Sequence, residues 1–338
     1  MFIKKKEVHR VSFFCIRNNG VYTAKGSIKE REVFFEDVKI LDGTRVFGLE
    51  SSEVGVFINT ITGAYLFEGS NQKRVFSEVA YRALVQNKFL VETINSASSK
   101  LLFFDSDQKV EIDNSTIIGA HEGRIYVVGF SDNLETKSVD CFSINGKKWE
   151  FDTYEEFSGI NKDSRIKSIL GVINEKVWIS LSNHTVIALN VENGNLVYQL
   201  NEINDFQCEW LPSAIPAPEA IQIHRSRSIL VGLMWEFYWE IDPKTGEIDF
   251  HDLSEYFKTE KIRNDRPDFV LGKDHIYFVS RNESKIGALN LDTKKLDWVH
   301  TFCENEKGVI PEIMELKGHD ELLGALDRSG TLHMFGKD

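Results

Sequence analysis

The sequence predicts an all-β fold, a seven-bladed β-propeller built from four-stranded antiparallel blades. Three observations predict it. The segments TVIALNVENGNLVYQL (185–200) and KIGALNLDTKKLDWVH (285–300) are near-copies of one another. Further copies of the same turn recur along the chain with a period of roughly 40–50 residues, which is a propeller spacing. Phe, Tyr and Trp make up 12% of the chain, with 24 Phe, and flat aromatic side chains favour pleated strands.

The repeat unit has a physical logic. Ala188-Leu189-Asn190 matches Ala288-Leu289-Asn290, and Tyr198 matches Trp298. A third copy runs from Ile241-Asp242 through Gly246 to Phe250, and an earlier one from Ile58-Asn59 through Gly63 to Phe67. The apolar residue ends a strand on its buried side. The Asn or Asp that follows bonds the backbone two residues on and starts a turn. The Gly four residues later accepts a positive φ without Cβ strain, and Lys294 takes its place in one copy. The next strand then plants an aromatic in the core. The unit is therefore a hairpin. Apolar runs precede it at Arg45–Leu49, Lys176–Leu181, Ser228–Leu233 and His275–Ser280. Looser copies at 107, 146 and 336 join turns at 63, 194, 246 and 294 to give seven.

This hairpin resembles the repeat of the PQQ-like, quinoprotein-type propellers, whose blades carry an Ala-Leu-Asp-x-x-Thr-Gly-x-x-x-Trp pattern. The resemblance spans about residues 30–338 and implies the fold alone. The quinoprotein dehydrogenases of that type clamp their cofactor with vicinal cysteines. Cys15, Cys141, Cys208 and Cys303 are far apart, so PQQ binding is not carried over.

No composition break divides the chain, so residues 1–338 are expected to form one domain. The last repeat stops at its third strand. An open sheet edge invites association, so residues 1–30 are expected to close the last blade through His9–Ile16 or Val21–Ala24. Asn18-Asn19-Gly20 between these two runs reads as a hairpin turn.

The formal net charge is −12. An acidic surface repels phosphate backbones, which argues against nucleic acid and favours a basic protein partner. The apolar run after the N-terminal lysines, Val11–Ile16, is too short for a signal peptide. No stretch is long enough to span a membrane. A cytoplasmic protein, monomeric alone, is expected. Cysteine and histidine spacing suggests no metal site, and no cofactor is expected.

In a propeller, the links from the fourth strand of one blade to the first strand of the next share a face with the turns between second and third strands. The longest such links are 152–165, 201–218, 251–267 and 303–308, and together they are acidic. Long loops on a rigid scaffold are where binding concentrates. The link NEINDFQCEWLPSAIPAP holds Asp205, Glu209, Trp210 and Leu211 and three of the six prolines. Prolines lower the entropy lost on binding, and Trp210 beside Leu211 has the character of an anchor. Trp235 turns at the same end, and Glu155 and Glu156 lie in the first link. These seven residues are the candidate binding surface, and no catalytic residue is assigned. The plainer alternative is that Trp210 caps the core and that Trp235, Tyr238 and Trp239 merely alternate within a strand. The reading that follows is a non-enzymatic protein-binding scaffold, one version being an immunity protein that neutralises a basic bacterial toxin. The alternatives are a lyase or hydrolase acting on a small or carbohydrate ligand at the channel mouth, and a structural subunit of an assembly.

Overall fold

The computed structural model describes residues 2–52, 55–76, 80–86, 88–95, 98–103, 109–112, 115–121, 124–130, 136–143, 145–157, 165–204, 206, 214–304 and 308–337. Its strands form eight four-stranded antiparallel sheets. Sheet 1 contains β2 (Val11–Arg17), β3 (Gly20–Gly26), β4 (Arg31–Phe35) and β5 (Val38–Thr44). Sheet 2 contains β6 (Val46–Ser52), β7 (Gly55–Thr60), β8 (Gly63–Glu68) and β9 (Asn71–Phe76). Sheet 3 contains β10 (Ala80–Gln86), β11 (Lys88–Asn95), β12 (Ser98–Phe103) and β13 (Lys109–Ile112). Sheet 4 contains β14 (Ser115–His121), β15 (Arg124–Phe130), β16 (Thr136–Ser143) and β17 (Gly146–Asp152). Sheet 5 contains β18 (Ile166–Ile173), β19 (Lys176–Leu181), β20 (Val186–Asn190) and β21 (Leu196–Leu200). Sheet 6 contains β22 (Ile221–His224), β23 (Ile229–Met234), β24 (Phe237–Ile241) and β25 (Ile248–Asp252). Sheet 7 contains β26 (Val270–Leu271), β27 (His275–Ser280), β28 (Lys285–Asn290) and β29 (Leu296–Thr301). Sheet 8 contains β30 (Ile313–His319), β31 (Leu322–Asp327) and β32 (Leu332–Lys337), with β1 (Phe2–Val8) as its fourth strand.

The backbone falls into two compact units. The first (Met1–Asn87, Val91–Ile94, Lys261–Asp338) holds sheets 1, 2, 7 and 8. Within it, Val11, Phe14 and Ile16 of sheet 1 pack on Leu326, Leu332 and Met334 of sheet 8. Tyr22, Ala24 and Val33 of sheet 1 meet Val56, Ile58 and Phe67 of sheet 2. The second unit (Lys88–Leu90, Asn95–Glu260) holds sheets 4, 5 and 6. There, one apolar core lies between sheets 4 and 5 and another between sheets 5 and 6. Sheet 3 is divided between the units.

The burial pattern explains why the sequence folds this way. Middle strands are covered on both faces: every residue of β7 is buried, as are five of six in β19 and β27. A strand between two sheets reads as a near-continuous apolar run, which is what Lys176–Leu181 and His275–Ser280 show. Outer strands such as β21 alternate half-buried and exposed.

The repeated turn forms as its sequence demands. Gly194, Gly246 and Lys294 each donate a backbone hydrogen bond to the carbonyl four residues back, on Asn190, Asp242 and Asn290, at 2.8–2.9 Å. The side-chain oxygen Oδ1 of each Asn or Asp accepts the amide two residues on, from Glu192, Lys244 and Asp292. The fourth residue of the turn has φ of 74°, 77° and 56° at Gly194, Gly246 and Lys294. The motif aromatic then reaches the next sheet. Trp149 Nε1 donates to Val191 O at 3.0 Å, and Tyr198 donates its hydroxyl proton to Lys244 O. Each aromatic thus stitches its sheet to the following turn.

Four expectations are corrected. Among the described residues there is one sheet more than the seven counted, because Val11–Thr44 builds a complete sheet. The motif copy at 58–67 joins β7 to β8, the second and third strands, whereas its counterparts join third to fourth. It is a Thr turn, with Thr60 Oγ1 donating to Gly63 O at 2.7 Å. Gly336 is not a turn; it lies inside β32, paired with Ile3 and Leu322. The strand that completes the last sheet is β1, neither His9–Ile16 nor Val21–Ala24. Those two runs are β2 and β3 of sheet 1, joined by the hairpin expected at Asn18-Asn19-Gly20. The looser copy near Asp107 lies outside the described residues.

Candidate functional site

The rim beside the β23–β24 turn is built from the link that the sequence singled out. Ile203 and Phe206 enter the core between sheets 5 and 6, and Ile215 and Ala217 enter it from the other end of the link. Phe206 meets Phe237 at 5.2 Å and Phe250 at 4.4 Å between ring centroids. His184, in the β19–β20 turn, shares a hydrogen bond with Ile215 O at 3.0 Å. Pro218 opens a short 3-10 helix (Pro218–Ala220) that leads into β22. Trp235 packs, half-buried, on this same cluster. Its φ is +53°, a left-handed conformation that costs a bulky residue about 1–2 kcal/mol. Glu236 O accepts the Leu253 amide at 2.9 Å, tying the turn to the following link.

The structure therefore brings Trp235 together with the anchored ends of the 201–218 link. Asp205, Glu209, Trp210 and Leu211 lie outside the described residues. Glu155 and Glu156 belong to helix α1 (Thr153–Phe157). Its Phe157 is buried in the other core, between sheets 4 and 5. Glu156 is exposed, and α1 does not join the Trp235 cluster. Trp239 and Tyr238 are fully buried, as strand packing predicts.

A groove of about 680 Å³ opens between β21 and the β24–β25 hairpin. Five carboxylates line it, Glu202, Glu240, Asp242, Glu247 and Asp249, and among the described residues no Lys or Arg does. Tyr238, whose hydroxyl is pushed up by burial and then by the adjacent Glu240, donates to that carboxylate. His251 Nε2 lies 3.1 Å from Asp249 Oδ2. Sequence reasoning looked to the loops and missed this groove. Its trace was the Glu240, Asp242, Glu247 and Asp249 set, at alternate positions on both sides of one turn.

A second cavity, about 420 Å³, lies between the first strands β18 and β22. Ser168, Glu219, Gln222 and Arg225 supply its polar lining, and Ile169, Leu170, Ile221 and Ile223 its apolar wall. Ser168 and Ser180 hydroxyls are 2.8 Å apart. With one carboxylate and one guanidinium, the lining is suited to holding a small polar molecule.

Two other histidines pair with carboxylates away from the groove. His275 Nε2 is 2.8 Å from Asp297 Oδ2, and Asn290 Nδ2 donates to the same oxygen. His333, 3% exposed, sits between Glu7 Oε1 at 3.1 Å and Asp327 Oδ2 at 3.0 Å. Among the described residues no group of three or more His, Cys, Asp or Glu is arranged to hold a metal ion. None of the described helices is long and apolar enough to cross a membrane.

No family model and no curated protein matches the chain. Solved structures do match over nearly its whole length. Sqt1 of Saccharomyces cerevisiae aligns with a TM-score of 0.61 at 12% identity, covering 100% of this chain and 98% of that one. BamB of Moraxella catarrhalis gives 0.57 at 11% identity, covering 100% and 98%. Virginiamycin B lyase of Staphylococcus aureus gives 0.53 at 14% identity, covering all of both chains. BamB and the lyase are propellers of the PQQ-like, quinoprotein type. At these identities the likeness is one of fold alone, and the fold it shows is a β-propeller.

Proposed function

We propose that the protein is a propeller scaffold that binds a basic protein partner. Its contact surface is the acidic groove between β21 and the β24–β25 hairpin, together with the adjoining rim at Trp235. The groove carries this reading: five carboxylates converge on one concavity that no Lys or Arg lines among the described residues. Such a field attracts a Lys- or Arg-bearing segment and repels acidic competitors. The strained, half-buried Trp235 supplies an aromatic anchor at the rim, a residue type enriched where binding energy concentrates. The candidate residues Asp205, Glu209, Trp210 and Leu211, which belong to the same link by sequence, are part of the contact surface in this reading. An immunity protein that plugs a basic toxin in the cytoplasm is one concrete form, favoured by the net charge of −12.

A small-molecule enzyme is the second reading. The cavity between β18 and β22, and the lyase among proteins of similar fold, favour it.

The test uses the purified protein as bait on an extract of its source cells, beside an E247K/D249K variant. A basic protein that binds stoichiometrically to the wild type, weakens with added salt, and is lost by about tenfold or more with the variant supports the scaffold reading. Unchanged capture by the variant places the surface elsewhere, and Trp210→Ala with Glu209→Ala then tests the rim. No stoichiometric protein, with turnover of a metabolite that Glu219→Gln abolishes, overturns the scaffold in favour of the enzyme.

A further inference from the structure

We propose that Arg31 and Arg45 form a binding site for an oxyanion, the phosphate or carboxylate group of a small ligand, where the start of β4 in sheet 1 meets the start of β6 in sheet 2. Arg31 opens β4 and is only 8% exposed. Its Nη1 donates to Val46 O, at the start of β6. Its Nε has no hydrogen-bond partner. The guanidinium carbon lies 4.8 Å from the ring centre of Phe13, on β2.

No carboxylate answers this charge among the described residues. The charged group that acts on Arg31 is another cation, Arg45, in the link between β5 and β6. Burial and then that like charge push the Arg31 guanidinium below its ordinary pKa. Arg45 is exposed, and its guanidinium sits 5.2 Å from the ring centre of Phe47, itself 36% exposed. The pair is thus open to solvent on the Arg45 side.

Burying a charge without a counter-charge costs several kcal/mol. A single carbonyl bond and a cation–π contact, the latter worth about 2 kcal/mol even when desolvated, do not offset it. A guanidinium presents five donors in a planar fork that matches the oxygens of phosphate and carboxylate. An oxyanion seated between the two arginines would satisfy the donors left over and separate two like charges. This site lies in the first unit and carries the opposite sign to the groove, so it stands independently of the scaffold reading.

The test measures thermal midpoints in inorganic phosphate, in acetate and in chloride at matched ionic strength, because an anion that binds only the folded state raises the midpoint as it saturates. A saturable rise with phosphate, acetate or both is expected for the wild type. Phosphate alone marks a phosphoryl ligand, and acetate alone or both mark a carboxylate-tolerant site. Arg45→Gln changes an exposed side chain and relieves the like charge beside Arg31, so it should leave the chloride midpoint unchanged or slightly raised while abolishing the rise. Arg31→Met removes the buried guanidinium and should be equally unresponsive, read against its own midpoint in chloride because it also loses the bond to Val46 O. A wild type that responds to neither anion, or an Arg45→Gln or Arg31→Met variant that responds like wild type, would overturn the proposal.

Discussion

At the residue scale, the repeated turn isolates what a single side chain does. Asn190, Asp242 and Asn290 make the same hydrogen bonds to the backbone two residues on, so the polar position was legible from sequence. The Gly position was legible for only half its reason. Positive φ is one demand; contact with the neighbouring sheet is the other. A Cβ on Gly194 would come within 2.7 Å of the Trp149 ring, a contact that no local pattern in the sequence announces. Gly194→Ala therefore meets both backbone strain and overpacking and should cost about 1–3 kcal/mol, read from the urea midpoint. Lys294 occupies the same turn position at φ 56°. Lys294→Gly relieves the strain and should stabilise by about 0.5–1 kcal/mol, less than the full left-handed penalty because glycine adds entropy to the unfolded chain. An unchanged midpoint in Lys294→Gly would show that the turn carries no strain there.

At the scale of the element, the informative strand is β1. Sequence logic required an N-terminal strand to complete the last sheet, yet it chose the wrong one. The reason is physical. In FIKKKEV only Phe2 is buried and the five residues after it are exposed, so the strand has no apolar alternation to reveal it. Its lysines are what an outer strand needs to discourage edge association. What holds it is partly ionic. Burial alone would raise the Asp327 carboxyl, but hydrogen bonds from His333, Ser329 and Thr331 outweigh burial and hold it below its ordinary value. The Glu7 carboxyl is lowered too, first by its hydrogen bond from Lys4 and also by His333, against burial. A carboxylate whose folded pKa is depressed adds stability that is full above its unfolded pKa and is lost as pH falls through the folded value. Asp327→Asn should thus cost about 1.5–3 kcal/mol at pH 7. The difference from wild type should shrink as pH falls below about 4. A penalty that stays constant down to pH 2.5, in urea melts across that range, would mean that Asp327 acts through shape and not through charge.

At the scale of the molecule, the fold class and hairpin register were legible because stacked sheets repeat one chemical solution. The number of sheets was not. Sheet 1 lacks the Asn-to-Gly turn between its third and fourth strands; Glu36-Asp37 stands there instead. The copy at 58–67 falls one strand early, so counting turns skipped a sheet. The acidic groove was hidden for a related reason: it needs β21 and the β24–β25 hairpin side by side, a juxtaposition of two sheets that a one-dimensional pattern does not show. The repeat also predicts that residues 1–338 are a single domain, and the tryptophans make this testable. Five of the six lie between Asn95 and Glu260, in the second unit, and only Trp298 lies in the first. Deleting residues 2–8 strips β32 of one of its two partners, exposes an unpaired edge and removes the buried Phe2. If the chain unfolds as one domain, the deletion should lower the midpoint seen by tryptophan fluorescence as much as the midpoint seen by far-ultraviolet circular dichroism. A synthetic peptide of residues 1–9, added in excess, should recover part of both. If fluorescence holds its wild-type midpoint while circular dichroism splits into two transitions, the second unit stands on its own and the single-domain reading fails.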